Sequence, residues 1–249
     1  MLINSPMHPQ DWLALYRFQR KKFGPIRSLL RTLRKDLRRT ESRGLLSRHL
    51  SANARGIEIG CGETTIAPIK RTILSDAYQA HAGATSLARE FFPAETIPHP
   101  DASFDFLLSE HVLEHLPDPI RGLKEWIRVL KPGGKLFLFL PHPERTFDRN
   151  RAVTPLEHLI ADHEAGVKSD ESAHWEEWLE KVIAPNLAPH YRGYTKEESL
   201  SQNLIHRHVF TPASTSLLLE HLGLRVLEKH DQVQDRNDSF VLVAERVQK

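Results

Sequence analysis

Residues 57–62 read Ile57-Glu58-Ile59-Gly60-Cys61-Gly62, an apolar run that ends in a glycine turn. How this stretch is read decides the fold. A buried parallel strand ending in Gly-x-Gly brings backbone close to a ligand, because glycine has no Cβ and tolerates positive φ. A second apolar run, Thr72-Ile73-Leu74-Ser75, ends at Asp76. An acidic residue there can accept hydrogen bonds from a ribose diol. Gly-x-Gly alone is a weak signal, and the sequence downstream carries the rest.

Residues 103–109 form another short apolar run, which leads into Glu110-His111-Val112-Leu113-Glu114-His115-Leu116-Pro117-Asp118-Pro119. Asp118 is placed to cap a helix, and Pro119 fits its first position, where a missing N–H costs nothing. Ile120, Leu123, Trp126, Ile127 and Leu130 recur at helical spacing. Lys131-Pro132-Gly133-Gly134 then ends the helix, and residues 135–140 read as a buried strand. Near the C-terminus, Thr211-Pro212 opens a helix with Leu217, Leu218, Leu219 and Leu222 on its apolar face, and Gly223 stops it. Residues 224–228 and 240–244 read as two further strands.

This ordered set resembles the class I S-adenosylmethionine (SAM) dependent methyltransferases. The likeness rests on Ile-Glu-Ile-Gly-Cys-Gly, on Phe104-Asp105 before a strand, on Val112-Leu113-Glu114-His115, and on Arg128-Val129-Leu130-Lys131-Pro132-Gly133-Gly134. It covers residues 55–141 and, more loosely, 209–246. It implies a Rossmann-like, doubly wound α/β sheet, mostly parallel with an antiparallel last strand, and SAM as cofactor. The cofactor-binding positions it implies are Glu58, Gly60, Cys61, Gly62, Asp76, Ala77, Ala94, Glu95, Ser109 and His111. The sequence departs from the family pattern in three places. Glu63-Thr64 stands where a third glycine is usual. Only a short helix fits between Gly60 and Asp76. Pro93 replaces an aspartate ahead of Ala94-Glu95 in the loop expected to meet adenine.

Composition fits one core with additions. The chain has 249 residues, 27% of them charged, and no apolar run approaches the ~18 residues of a membrane span. No apolar h-region of a signal peptide is evident at the N-terminus. A single cysteine, Cys61, excludes an internal disulfide and fits a reducing compartment. These features predict a cytoplasmic protein. Cys61 is expected to pack in the glycine turn rather than act as a nucleophile.

Charge is unevenly spread. Residues 1–55 hold 13 Lys/Arg against 3 Asp/Glu, whereas the remainder is net acidic. Residues 1–50 therefore read as a basic helical extension, and 51–249 as the methyltransferase domain. Within the extension, Ile26, Leu29, Leu30, Leu33 and Leu37 make an apolar stripe at helical spacing, among Arg27, Arg31, Arg34, Lys35, Arg38 and Arg39. Such a helix can dock its stripe on the domain. Alternatively residues 20–39 can lie on an anionic membrane surface, which would place the protein at the inner face of the membrane. Nucleic acid is the third candidate, although no cluster of aromatics for base stacking is evident there. Oligomeric state is not legible.

The acceptor side is sought among 15 histidines. Transfer to a hydroxyl requires removal of its proton, and histidine suits that task. His142 follows the 135–140 strand, at the sheet's carboxyl edge where ligands bind; it serves there as a base or as a turn residue. Residues 144–205 form a long insertion, read as a helical lid. In it, His158 and Asp162 share one side of a short helix at i and i+4. That pair can grip a substrate, orient a base or help hold a metal, or be an exposed polar face; no metal site is assigned. Trp175 and Trp178 on a second helix pack on the core or stack on a sugar. Residues 204–210 look extended, which puts His206 and His208 on one face as further base candidates.

A finer likeness involves Pro141-His142-Pro143-Glu144-Arg145-Thr146-Phe147-Asp148, Thr154-Pro155-Leu156-Glu157-His158-Leu159-Ile160-Ala161-Asp162 and His206-Arg207-His208-Val209-Phe210-Thr211. These stretches resemble methyltransferases of bacterial surface-polysaccharide biosynthesis. The likeness implies O-methylation of a glycan hydroxyl, with a small molecule as the broader acceptor class. The competing readings are an RNA or small-molecule N-methyltransferase using the basic N-terminus, and a non-catalytic scaffold of the same fold.

Overall fold

The computed structural model describes residues 9–81, 84–166 and 171–247. Three helices open the chain: α1 (Pro9–Phe23), α2 (Pro25–Arg38) and α3 (Thr40–His49). Strands β1 (Gly56–Ile59) and β2 (Thr72–Asp76), the short hairpin β3 (Ala80–His81) and β4 (Ala84–Thr85), and β5 (Glu90–Phe91) follow. Next come β6 (Phe104–Glu110), α4 (Pro119–Val129) and β7 (Leu130–Pro141). The insertion carries α5 (Leu156–Ala165), α6 (Glu171–Trp178) and α7 (Lys196–Ser201), and the chain ends with α8 (Pro212–His221), β8 (Leu224–His230) and β9 (Ser239–Arg246).

Seven strands form one sheet in the order β5-β2-β1-β6-β7-β9-β8. Pairs among β5, β2, β1, β6 and β7 are parallel, and β9 runs antiparallel to both of its neighbours. This is the doubly wound, mostly parallel α/β sheet expected from the sequence. Its central strands read as unbroken apolar runs because both faces are covered. Leu107, Leu136, Leu138 and Leu140 face Leu123, Trp126, Leu218 and Leu219. Alternate residues Phe106, Leu108, Phe137 and Phe139 face the other way, onto Leu45 and Leu46 of α3.

The caps read from sequence are formed. The Asp118 carboxylate accepts from Arg121 N at 2.8 Å, with Pro119 in the first turn of α4. Thr211 caps α8 in a reciprocal box with Ser214. One boundary differs. Helix α4 ends at Val129, and Lys131-Pro132-Gly133-Gly134 is absorbed into an irregular start of β7, where Leu130 pairs with Phe104 but Lys135 already pairs with Phe106. Pro132 has no N–H for a ladder and Gly133 takes φ +78°, so the chain bulges there.

The segment between β1 and β2 holds a single 3₁₀ turn, Ile69–Arg71, and no α-helix. Helix α1 covers the gap. Leu15 is fully buried, Ala14 packs on Cys61, Ile69 and Leu74, and Lys70 N donates to Asp11 at 3.3 Å. Helix α2 leans on α1, and here the docked-stripe expectation fails. Ile26 is 74% and Leu30 62% exposed, and Leu29 and Leu33 are exposed too. The side chains of Leu37, Arg31, Arg34, Lys35 and Arg38 lie outside the described residues.

Candidate active site

Strand order reverses between β1 and β6, which makes their carboxyl ends the switch point where an open α/β sheet binds ligands. A cleft of about 490 Å³ lies there, within the range for small-molecule sites. Its floor is the turn after β1. Gly60 and Gly62 take φ of +74° and +53°. A Cβ on Gly60 would strike Val112 at 2.2 Å, whereas Gly62 has open space above it. Asp76 ends β2 beside them. Its Oδ2 accepts from Gly62 N (3.2 Å) and Ser86 Oγ (2.8 Å), while Oδ1 has only a long 3.5 Å contact from Tyr78 N. One carboxylate oxygen thus organises the glycine turn and the other retains capacity for a ligand hydroxyl.

Of the expected cofactor positions, Gly60, Gly62, Asp76, Ala77, Ala94, Glu95 and His111 line the cleft. Glu58, Cys61 and Ser109 do not. The Glu58 side chain is buried against the Thr65 hydroxyl, and burial raises its pKa to about 8. Burial also pushes the Cys61 thiol up, so it stays protonated. Ser109 is fully buried, and its Oγ has no hydrogen-bond partner among the described residues.

The far end of the cleft is built on β6. Its last residue, Glu110, is gripped by Arg39 (2.9 Å) and Arg236 (2.6 Å); burial opposes its ionisation, but these guanidinium groups outweigh it and hold the pKa at about 2. The chain then turns through His111, a non-glycine at φ +54°, into the 3₁₀ turn Leu113–His115. This turn buries Glu114 completely. Around its Oε1 stand His111 Nδ1 (3.9 Å), His115 Nε2 (3.8 Å) and His206 Nε2 (3.9 Å). Burial raises the Glu114 pKa to about 7, and burial depresses His111 to about 4 and His115 well below its ordinary value.

The insertion closes the cleft, and the segment directly after it supplies His206. Arg207 N and His208 N donate to the Glu114 carbonyl at 2.8 and 3.2 Å, which staples the segment before α8 to the 3₁₀ turn. Tyr78 OH donates to Ser201 O (3.0 Å), and His81 Nε2 bonds Gln202 O (2.6 Å). Asn203, at φ +50°, lines the cleft.

The expected acceptor histidines separate into three places. His206 joins the Glu114 cluster, with Nδ1 on Asp148 Oδ2 at 2.6 Å. His158 meets Asp162 at 3.1 Å, as its spacing implied, and with His174 and His208 forms a second cluster behind Pro117. Burial takes His208 down to about 3. His206 and His208 thus enter different clusters and do not share a face as expected: residues 206–210 form no strand, so the period-2 rule does not apply. His142 lies outside the cleft, on Asp231 at 3.1 Å. Trp178 is buried against Phe147 and Tyr191, so it packs. Sequence reasoning missed Glu114, His115 and Asp148 as site residues. The signal available was position, since Glu114-His115 directly follows the carboxyl end of β6.

Residues 57–138, about a third of the chain, match the family model described as a methyltransferase domain. Together with the sheet order, this defines a Rossmann-like methyltransferase fold of class I. The chain is 41% identical over 58 residues to 27-O-demethylrifamycin SV methyltransferase of Amycolatopsis mediterranei, a stretch covering 22% of this chain and 21% of that protein. It is 34% identical over 120 residues to a probable S-adenosylmethionine-dependent methyltransferase of Mycolicibacterium smegmatis, covering 43% and 45%. The chain thus spans less than half the length of these curated relatives. Among solved structures, a SAM-dependent methyltransferase from Aquifex aeolicus aligns over 82% of this chain and 88% of its own, with 17% identity and a TM-score of 0.46.

Proposed function

We propose that this protein transfers a methyl group from SAM to a hydroxyl of a glycan or small molecule, the glycan being a sugar of a bacterial surface polysaccharide. The observation that carries the methyl-transfer reading is the cleft at the β1/β6 switch point, floored by Gly60 and Gly62 and flanked by Asp76. Its volume, its open backbone over Gly62 and the spare Asp76 oxygen fit SAM. When bound, SAM would supply an activated methyl for in-line attack by an acceptor lone pair, the thioether S-adenosylhomocysteine being the leaving group and a neutral imidazole at the acceptor end taking the hydroxyl proton.

The chain's own residues do the placing. Asp76 Oδ1 accepts from the ribose diol, and Pro93, Ala94 and Glu95 border the expected adenine end. The insertion, held by Tyr78 and His81, excludes water. The acceptor enters at the opposite end, where His111 and His115 border the cleft above Glu114 and His206. His158, His208 and Asp162 stand behind that end and do not line the cleft, so as acceptor-side candidates they are less favoured than His111 and His115; His142 is the base candidate least favoured by position. A polar, imidazole-lined acceptor end favours an oxygen that must lose a proton over an amine that attacks with its own lone pair.

Helix α2 favours a membrane-side location. Its exposed Ile26, Leu29, Leu30 and Leu33 lie on a helix whose sequence is rich in arginine, a combination suited to an anionic bilayer surface. Among the described residues no helix is long and apolar enough to cross a membrane.

The deciding experiment is a transfer assay with methyl-labelled SAM against glycan, small-molecule and RNA fractions. Label in an alkali-stable ether of a glycan or small molecule is the expected result. Label in RNA, or in an amine, would replace the acceptor reading, and no SAM binding by calorimetry would replace the enzyme reading with a scaffold.

A further inference from the structure

We propose that Glu114, His115 and His206, whose ligand atoms all lie within 4.8 Å of one another, form a binding site for one divalent transition-metal ion, zinc being the ion of first choice. The argument begins with the Glu114 carboxylate. It is fully buried, and no other described residue gives either oxygen a hydrogen bond. A buried carboxylate without partners is costly, and proteins rarely leave one so. What surrounds it are three imidazole nitrogens at 3.8–3.9 Å from Oε1, too far for hydrogen bonds. Two donors that share one tetrahedral ion at ~2.0–2.1 Å stand about 3.4 Å apart, close to this spacing.

Tautomers strengthen the case. His115 Nδ1 lies 2.9 Å from the Ile205 carbonyl, which only accepts, so Nδ1 carries the proton and Nε2 presents a lone pair. His206 Nδ1 lies 2.6 Å from Asp148 Oδ2, and the same assignment follows. His111 Nε2 bonds Ser239 Oγ at 2.7 Å and leaves Nδ1 inward. Each histidine is therefore oriented through its second nitrogen by an oxygen, as metal-bound histidines are. Nitrogen lone pairs of His115 and His206 then converge on the Glu114 carboxylate, its ligand atoms and theirs all within 4.8 Å of one another, a donor set that a cation at the centre would satisfy. Two imidazoles with one carboxylate suit zinc and its neighbours in the first transition row better than magnesium or calcium.

The scaffold is rigid around this point. Asp148 is itself fixed by Arg151 at 2.9 Å, and Arg207 bonds the His115 carbonyl at 2.7 Å. With three protein ligands the ion keeps a fourth position, and because His115 also borders the cleft, that position faces the acceptor end. There, granted the methyl-transfer reading above, it binds the acceptor hydroxyl and lowers its pKa.

The test is direct metal analysis of the full-length, tag-free chain. After chelator treatment and dialysis, titration with zinc chloride followed by mass-spectrometric metal counting is expected to give one tightly held ion per chain. Glu114→Gln and His206→Ala, each shown folded by circular dichroism, are expected to weaken binding at least a hundredfold. His174→Ala, which dismantles only the His158–His174–His208 cluster, is expected to keep the ion. Cobalt-substituted wild type is expected to show d–d absorption typical of nitrogen and oxygen ligands, which tests the site without any variant. Failure of the wild type to retain zinc or cobalt overturns the proposal, as does loss of the ion in His174→Ala with retention in Glu114→Gln. SAM affinity measured on the same samples keeps the two readings apart: an ion without SAM binding sinks the methyl-transfer reading alone, and SAM binding without an ion sinks the metal site alone.

Discussion

On the proposed reading, Asp76 serves structure and ligand together. Its Oδ2 accepts from the Gly62 amide and Ser86, and its Oδ1 retains capacity for the proposed ribose contact. Asp76→Ala should weaken SAM binding by ~1.5–3 kcal/mol, the scale of a hydrogen bond to a charged group. Equal affinity of variant and wild type by calorimetric titration would remove Asp76 from the site. Glu58 makes a pH prediction. Burial raises its pKa to about 8, with Glu110 and Asp76 adding to the rise and Thr65 and Arg39 opposing it. The native state therefore keeps a proton that the unfolded chain releases above an ordinary carboxylate pKa of 4.5. Stability should fall as pH rises through that window, to about 8. Glu58→Gln should flatten the fall, and the difference between the two proteins isolates this one group. Parallel urea-midpoint curves from pH 5 to 8 would refute it. The positions of Gly60, Gly62 and Asp76 were legible because backbone conformation and strand ends leave a residue-type signature. Glu114 was not, since a buried charge is defined by neighbours 92 residues away, such as His206.

At the scale of elements, strands and caps were readable from local pattern alone. Asp118-Pro119 and Thr211-Pro212 cap α4 and α8, and the apolar runs of β6 and β7 are central strands. What local pattern cannot give is which element fills a gap. The β1–β2 connection is too short for a full helix, and the cover comes from α1, Pro9–Phe23, far upstream in sequence. Leu15 is the contact that matters, fully buried in that seam. Leu15→Ala should cost about 2–4 kcal/mol, a transfer and cavity loss. Because α1 rests on Ile69 and Leu74 under the glycine turn, the same variant should also weaken SAM binding. Chemical denaturation and calorimetry check the two effects. A destabilised variant with unchanged SAM affinity would show that α1 supports the fold without shaping the cleft.

For the molecule as a whole, the uneven charge takes on a physical meaning once the first three helices are separated. Helix α3 is woven into the core through Leu45 and Leu46, α1 packs beneath the glycine turn, and α2 turns Leu29, Leu30 and Leu33 outward. The basic segment is therefore not one detachable arm, and deleting residues 1–39 would remove Leu15 along with the membrane candidate. Point changes separate the roles. Among the stripe's described side chains Ile26 and Leu30 are the most exposed, and they touch no core cluster. Ile26→Glu with Leu30→Glu removes apolar area and adds two charges of the wrong sign. The pair should abolish co-sedimentation with phosphatidylglycerol vesicles while leaving SAM affinity and the unfolding midpoint unchanged. Binding of the wild type should also weaken steeply with salt, because each basic residue near an anionic surface contributes about 1 kcal/mol that ions screen. Vesicle binding retained by the double variant would assign the stripe to another partner. A double variant that no longer folds would instead mean that α2 buries its leucines in solution, contrary to their exposure here.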